Sequence, residues 1–232
     1  MEVLQLGALA VQVERKPIRH LHLSVYPPDG RVRVAAPRRL EMEAIRLFVI
    51  GHLPWIRREQ RKMRSQRRLP AKTYVPRESH FLWGRRYLLN IVEGDGPPVV
   101  VRRHRSLDLH VRSGTSAEER GDLLERWYRS QVRQAARDAI GRWEDVLAVH
   151  VRRLHVQRMR TKWGSCTPRA GSIRLNTRLA AAPLECLNYV VLHEMAHLRF
   201  PNHGPGFVRL LNRVMPAWRD IRSHLNDLPL DA

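Results

Sequence analysis

Apolar and polar side chains alternate through residues 1–36, most clearly in Leu21-His22-Leu23-Ser24-Val25 and Val32-Arg33-Val34, on either side of Pro27-Pro28-Asp29-Gly30. A period of two with Pro and Gly at the reversal predicts a β-hairpin with one buried face. From about Glu41 to Arg68 the period lengthens. Ile45, Phe48, Val49, Leu53 and Ile56 fall three or four apart, as on one side of a helix that Pro54 interrupts. Short strands are predicted again within 80–112, at Tyr87–Val92, Val99–Val101 and Leu107–Leu109. A helix fits Ser116 to about Val149, where Ser116 and Glu119 have the spacing of a capping box.

The last third differs in character. Leu154–Gln157 and Ser172–Leu175 read as strands joined by a loop rich in small and polar residues. Pro183 opens a strongly apolar helix, which should stop near Arg199 or Phe200 because Pro201 disfavours helical geometry in the residue before it. A helical pair follows across 204–226, interrupted at Pro216. No internal repeat is evident. The expectation is an α+β protein with a β-rich N-terminal region over 1–115, carrying a basic helix near 41–68, and a mixed region over 116–232.

Composition narrows this picture. With 43% apolar residues in 232 the chain can bury a core, which excludes wholesale disorder. Lys plus Arg number 42 against 22 Asp plus Glu, a net charge of +20, and only Lys16, Lys62, Lys72 and Lys162 are lysines. Such a surplus favours polyanionic partners, nucleic acid first among them. Cys166 and Cys186 are too few for a disulfide framework, which points to a reducing, cytoplasmic setting. No apolar run approaches the roughly 20 residues of a membrane helix, and Met1-Glu2-Val3-Leu4-Gln5-Leu6 does not read as a secretion signal, so no membrane partner is expected.

The chemistry concentrates at His193-Glu194-Met195-Ala196-His197, an H-E-x-x-H sequence inside the apolar helix. At 3.6 residues per turn its two imidazoles leave the helix about 40° apart and can meet one zinc ion at about 2.0–2.1 Å. Glu194, about 100° around from His193, would stand beside the metal and take a proton from a zinc-bound water as it attacks a carbonyl. On a helical wheel Leu184, Leu187, Val191, Met195 and Leu198 form a core stripe, while His193 and His197 fall on the opposite side near Tyr189 and Cys186. Cys186 reads as a small packed residue. A catalytic zinc needs three protein ligands and an open position, and His203, past the helix end in Phe200-Pro201-Asn202-His203-Gly204, is the third candidate. Metzincins share this ligand spacing but have glycine where Phe200 stands. Lys162, Asn176 and Tyr189 are alternatives for assisting the oxyanion. Ser165 and Cys166 lack an activating base, so neither reads as a nucleophile.

Met159, Trp163-Gly164-Ser165-Cys166, Ile173-x-Leu175-Asn176, Tyr189-Val190-Val191-Leu192-His193-Glu194 and Asn202-His203 together resemble the YgjP-like zinc metallopeptidases, zincin-fold relatives of the SprT and WLM-type proteases. Gly30 with Val32-Arg33-Val34 and Pro37, Trp55-Ile56, Leu82-Trp83-Gly84 and Met215-Pro216-x-Trp218 extend the likeness over most of the chain. Phe207-Val208 departs from it, where the family often has Phe-Trp. The resemblance implies a zincin-like core, with a small sheet, an active-site helix carrying His193 and His197, and a following segment donating His203. It implies a polypeptide substrate lying along an edge strand, for which Ile173-Arg174-Leu175-Asn176 is the candidate. Trp163, Gly164 and Ser165 would form a rim of the cleft and, with Asn176, bind substrate.

Arg57, Arg58, Arg61, Lys62, Arg64, Arg67 and Arg68 place seven cations within twelve residues, opposed only by Glu59. On a helix they could contact several phosphates of DNA or RNA. Three functions are therefore expected in order: a zinc metallopeptidase, with nucleic-acid-associated proteins among its candidate substrates; a zinc-dependent nucleotide phosphoanhydride hydrolase; and a nucleic-acid-binding module whose zinc is structural. No glycine-rich phosphate loop supports the second, and no obvious fourth ligand supports the third.

Overall fold

The alternation in the first third builds a four-stranded sheet. The computed structural model describes residues 2–26, 29–65, 68–69, 72–228 and 230–231. Strands β1 (Glu2–Leu6), β2 (Leu9–Lys16), β3 (His22–Tyr26) and β4 (Arg31–Pro37) lie in the order β1-β2-β4-β3. The expected hairpin is β3–β4, with Val25 opposite Val32; β2 joins β4 in parallel, with Val11 opposite Val32. Val11, Val13, Val32, Val34 and Ala36 point to one buried face, as a period of two requires.

The amphipathic stretch that follows forms two helices, α1 (Met42–Gly51) and α2 (Leu53–Ser65), and contributes Ile45, Val49 and Ile56 to the same core. The break falls at His52, two residues before Pro54. Pro54 has no amide hydrogen to continue the ladder from α1 and stands in the first turn of α2, and the His52 ring nitrogen takes up the Phe48 carbonyl at 2.7 Å. Strand β5 (Arg68–Leu69) pairs with β13 (Leu230–Asp231).

Two compact units result, Met1–Pro70 with Pro229–Ala232, and Ala71–Leu228. The boundary expected near 115 therefore lies inside the second unit. The reason is a shared core: strands β6 (Ser79–Leu82), β7 (Arg85–Glu93), β8 (Val99–Arg102) and β9 (Ser106–Val111) bury Leu82, Tyr87, Leu89, Leu107, Leu109 and Val111 in the same cluster as the C-terminal helices. Their order, β6-β7-β9-β8, and pairing senses repeat those of the first sheet without any repeat in sequence.

Helix α3 (Ala117–Leu147) starts on the expected capping box. The Ser116 hydroxyl accepts from the Glu119 amide at 3.2 Å, and Glu119 accepts from the Ser116 amide at 2.8 Å. The third sheet runs β10 (Arg153–Gln157), β12 (Ser172–Asn176), β11 (Gly164–Thr167). Here the expectation is corrected twice. The small and polar loop contains β11, too short and too rich in small residues to show a hydrophobic period. Consequently β12 is central, between a parallel and an antiparallel neighbour, and β10 and β11 are the edges.

Helix α4 (Leu184–Ala196) ends at His197, sooner than expected. Its last turn tightens to three-residue spacing, with Leu198 N bonding Met195 O at 3.0 Å and Arg199 N bonding Ala196 O at 3.1 Å. Nor does it have one buried face only. Leu187, Val191 and Met195 are buried as expected, but so are Cys186, Tyr189, Val190, Leu192 and Glu194, while Leu184 is 44% exposed. Helices α5 (Pro205–Val214) and α6 (Trp218–Asp227) form the terminal pair, broken around Pro216. Among the described residues no helix is long and apolar enough to cross a membrane.

Candidate metal centre

The hairpin β6–β7 fixes the start of α4. Its tip, Trp83-Gly84, turns through positive φ at both residues, and Trp83 N bonds Ala180 O at 2.7 Å while Gly84 N bonds Ala181 O at 3.2 Å. A Cβ on Gly84 would stand 3.2 Å from Pro183 Cγ, so this tip approaches the helix start as only glycine allows.

The far end of α4 carries His193 and His197, and the turn after it returns His203 to them. The ligand-capable atoms of the three lie within 4.8 Å of one another and could hold one metal ion. His203 Nε2 stands 3.0 Å from His193 Nε2, and the ring centroids are 4.7–5.0 Å apart. The other ring nitrogens of His193 and His197 are engaged elsewhere. His197 Nδ1 faces the Phe200 carbonyl at 3.0 Å, and the Tyr189 hydroxyl stands 3.4 Å from His193 Nδ1. The Phe200 carbonyl can only accept, so His197 carries its proton on Nδ1 and its inner nitrogen is left free for a metal. No left-handed residue occurs in the 198–203 turn, which explains why Phe200 serves where metzincins have glycine.

Two aromatic residues that periodicity did not single out for the site complete its wall. The Phe207 ring centroid lies 4.8–5.1 Å from all three imidazoles, and Trp218 stacks on Tyr189 at 6.3 Å and 13°. Val208, beside Phe207, is half-buried against the core. Burial, then the neighbouring His197, His203 and Arg222, push His193 down to about 3. Burial likewise lowers His203. Three converging imidazoles are a donor set that zinc accepts well, so the residues present fit the metal.

Glu194 is 6% exposed, and burial pushes its carboxyl up to about 7 against the opposing charge of Lys162. Gly164 on β11 makes room for it. A Cβ there would stand 2.7 Å from Glu194 Oε1, 2.8 Å from its Cγ and 2.9 Å from Val190 Cγ1.

The other expected site residues divide. Trp163 is half-buried under Arg178, whose guanidinium carbon stands 5.7 Å from the ring centroid. Ser165, also half-buried, sits on β11 opposite Arg174. Asn176 is buried and its carboxamide is committed to backbone: it donates to Met159 O and Lys162 O, both at 2.8 Å, and accepts from Met159 N and Arg178 N at 3.2 Å. It holds the 159–163 loop. Burial, then the Glu194 charge, raise the Cys166 thiol to about 11, in keeping with an inert cysteine, and Cys186 is packed in the core. Of the basic run, Arg57, Arg58 and Arg61 are exposed on α2; the side chains of Lys62, Arg64 and Arg68 and the whole of Arg67 lie outside the described residues.

No curated protein sequence matches this chain significantly. Among solved structures, it is similar to the metallopeptidase zymogen jannalysin of Methanocaldococcus jannaschii, with 22% identity, 39% of this chain, 87% of that one and a TM-score of 0.36. It is also similar to the zymogen abylysin of Pyrococcus abyssi, with 20% identity, 40% and 90% coverage and a TM-score of 0.35. The likeness is confined to those two-fifths. The family model for the YgjP-like metallopeptidase domain matches residues 19–228, nearly the whole sequence, and the chain belongs to that family of peptide-bond hydrolases.

Proposed function

We propose that this peptidase is zinc-dependent, with His193, His197 and His203 holding the ion and Glu194 as the general base. The observation that carries the reading is the buried Glu194 carboxyl beside three converging imidazoles. Bound there, zinc would supply Lewis-acid polarisation of the scissile carbonyl and a more acidic water. Glu194 takes the proton of the attacking water and delivers it to the leaving amine; a carboxyl held near neutrality by burial can do both. The edge strand β11, which pairs only with β12 among the described residues, gives an extended substrate a backbone to bond. Trp163 and Ser165 flank that path. Lys162 is the candidate to favour the developing anion, since Asn176 is committed to the loop and the Tyr189 hydroxyl to His193.

The test is Glu194→Gln in the full chain. We expect one zinc per chain by elemental analysis and at least a hundred-fold loss of polypeptide hydrolysis, within the range for general base catalysis. Undiminished turnover refutes the mechanism.

The exposed cations Arg57, Arg58 and Arg61, with the net charge of +20, support recruitment to nucleic-acid-associated polypeptides. Single-stranded DNA should bind in a salt-dependent way and lose affinity in Arg57→Ala/Arg58→Ala/Arg61→Ala. Equal binding by that variant removes this part of the proposal.

A further inference from the structure

The metal centre uses one side of α5, where Phe207 meets the imidazoles. Another side is built for something else. Gly206, Arg209, Leu210 and Arg213 recur three or four residues apart and, with Arg199 and Phe200, line a groove of about 430 Å³. Its floor is apolar, made of the buried Leu210 and the half-buried Phe200. A Cβ on Gly206 would stand 2.8 Å from Phe200 Cε1, so the absence of a side chain there lets the ring lie against the helix.

The rim is cationic. Arg199 is tied down, donating to Leu147 O at the C-terminal end of α3 at 3.1 Å, with its guanidinium carbon 5.8 Å from the Phe200 ring centroid. Arg209 and Arg213, one helical turn apart and exposed, make no hydrogen bond or ion pair among the described residues. In so basic a chain an arginine-lined groove needs a comparison. A second groove of about 440 Å³ sets Glu119 and Asp122 against Arg112 and Arg126 and is balanced. The α5 groove has no acidic lining residue.

We propose that this groove is a substrate subsite for an acidic-apolar stretch of the polypeptide being cleaved. Carboxylates of the substrate would pair with Arg209 and Arg213 while an apolar side chain lies on Phe200 and Leu210. The proposal rests on the peptidase reading and specifies its substrate class. The groove is joined to the metal centre through Phe200, whose carbonyl meets His197 Nδ1. A helix is about 10 Å across and an extended chain advances about 3.3 Å per residue, so roughly three to four residues of an extended substrate span the width of α5.

The experiment compares Arg209→Gln/Arg213→Gln with the parent enzyme, both zinc-loaded, on two peptides that differ only in Asp-Asp-Leu or Asn-Asn-Leu four residues from the cleaved bond. We expect KM for the acidic peptide to rise roughly five- to twenty-fold in the variant, from two contacts of up to about 1 kcal/mol each, with kcat kept and the neutral peptide unaffected. Fluorescence anisotropy of the labelled acidic peptide on Glu194→Gln protein, with and without the two arginine changes, reads binding without turnover. Failure of the catalytic reading therefore stays distinguishable from failure of this one. Equal KM changes on both peptides, or binding of the acidic peptide that survives loss of both arginines, overturns the proposal. So does a single-stranded oligonucleotide that binds this groove more tightly than the acidic peptide.

Discussion

Gly164→Ala adds one methyl group where the structure leaves no space. The backbone itself does not demand glycine, since φ at this position is not positive. The added Cβ meets Glu194 Oε1 at 2.7 Å, Glu194 Cγ at 2.8 Å and Val190 Cγ1 at 2.9 Å. Ordinary contact begins near 3.4 Å, so something must move by roughly half an ångström or more. Strand β11 is bonded to β12 with Gly164 opposite Leu175, and α4 is buried on nearly every side, so the Glu194 side chain gives way first. Overpacking of this kind costs about 1–3 kcal/mol, a fall in Tm of very roughly 2–12 °C for a unit of this size. Catalysis should suffer more, since a misplacement approaching 1 Å can cost about a hundred-fold. The assay is kcat/KM on an unfolded polypeptide at saturating zinc, with metal content and Tm measured on the same sample. We expect a ten- to hundred-fold loss of kcat/KM with one zinc retained, because the atoms nearest the added methyl belong to Glu194 and Val190 and not to the three imidazoles. Full activity in Gly164→Ala would refute the placement of Glu194 as the base.

The remaining predictions concern the surroundings. Asn176→Ala deletes four hydrogen bonds of a buried carboxamide, about 3–5 kcal/mol at about 1 kcal/mol each, and should lower Tm by on the order of ten degrees; a change in KM alone would restore a substrate-binding role. Phe207→Ala removes the ring against three imidazoles and should cost about 3–5 kcal/mol and weaken zinc binding, read by competition with a chelator. Burial raises the Glu78 carboxyl, but bonds from the Thr73 and Tyr74 amides and the His80 ring outweigh it and hold it below 4.5. Its stabilisation is present above that value and lost as pH falls through the lowered pKa, so the gap in urea midpoint between the parent and Glu78→Gln should be full at pH 7 and narrow in acid. A gap independent of pH would contradict this.

How much was legible follows from which interactions are local. Period and punctuation placed α3 with its capping box, the break near Pro54 and the helical pair around Pro216, because each is decided within a few residues. The three histidines were legible for the same reason: two share a helix face, and the third is brought back by one short turn. Strand β11 was not. Gly164-Ser165-Cys166-Thr167 has no apolar period, and its extended form is imposed by partners on β12 five to eleven residues later, so the edge strand was assigned to the wrong segment. The boundary near 115 failed because sheet β6–β9 buries its leucines against helices distant in sequence. Asn176 looked like a site residue because it sits among site residues; only the structure shows its amide occupied.

Desolvation acts on the two kinds of ionisable group at the centre in a way that makes them useful together. Burial penalises charge of either sign, so it strips the proton from His193, held down near 3, and keeps one on Glu194 until about 7. The neighbouring imidazoles and Arg222 push His193 further in the same direction. Lys162 opposes the effect on Glu194, which leaves the carboxyl poised near neutrality and not fixed as an acid. In the proposed mechanism His193 would thus offer an uncharged nitrogen donor, the form a metal ligand requires, beside a carboxyl able to gain or lose a proton near neutrality. Phe207 lies against His193, and the missing side chain at Gly164 lets β11 lie against Glu194. In the proposed mechanism the packing around the H-E-x-x-H helix is therefore part of the chemistry: it would set the protonation states on which metal binding by His193 and proton transfer by Glu194 depend.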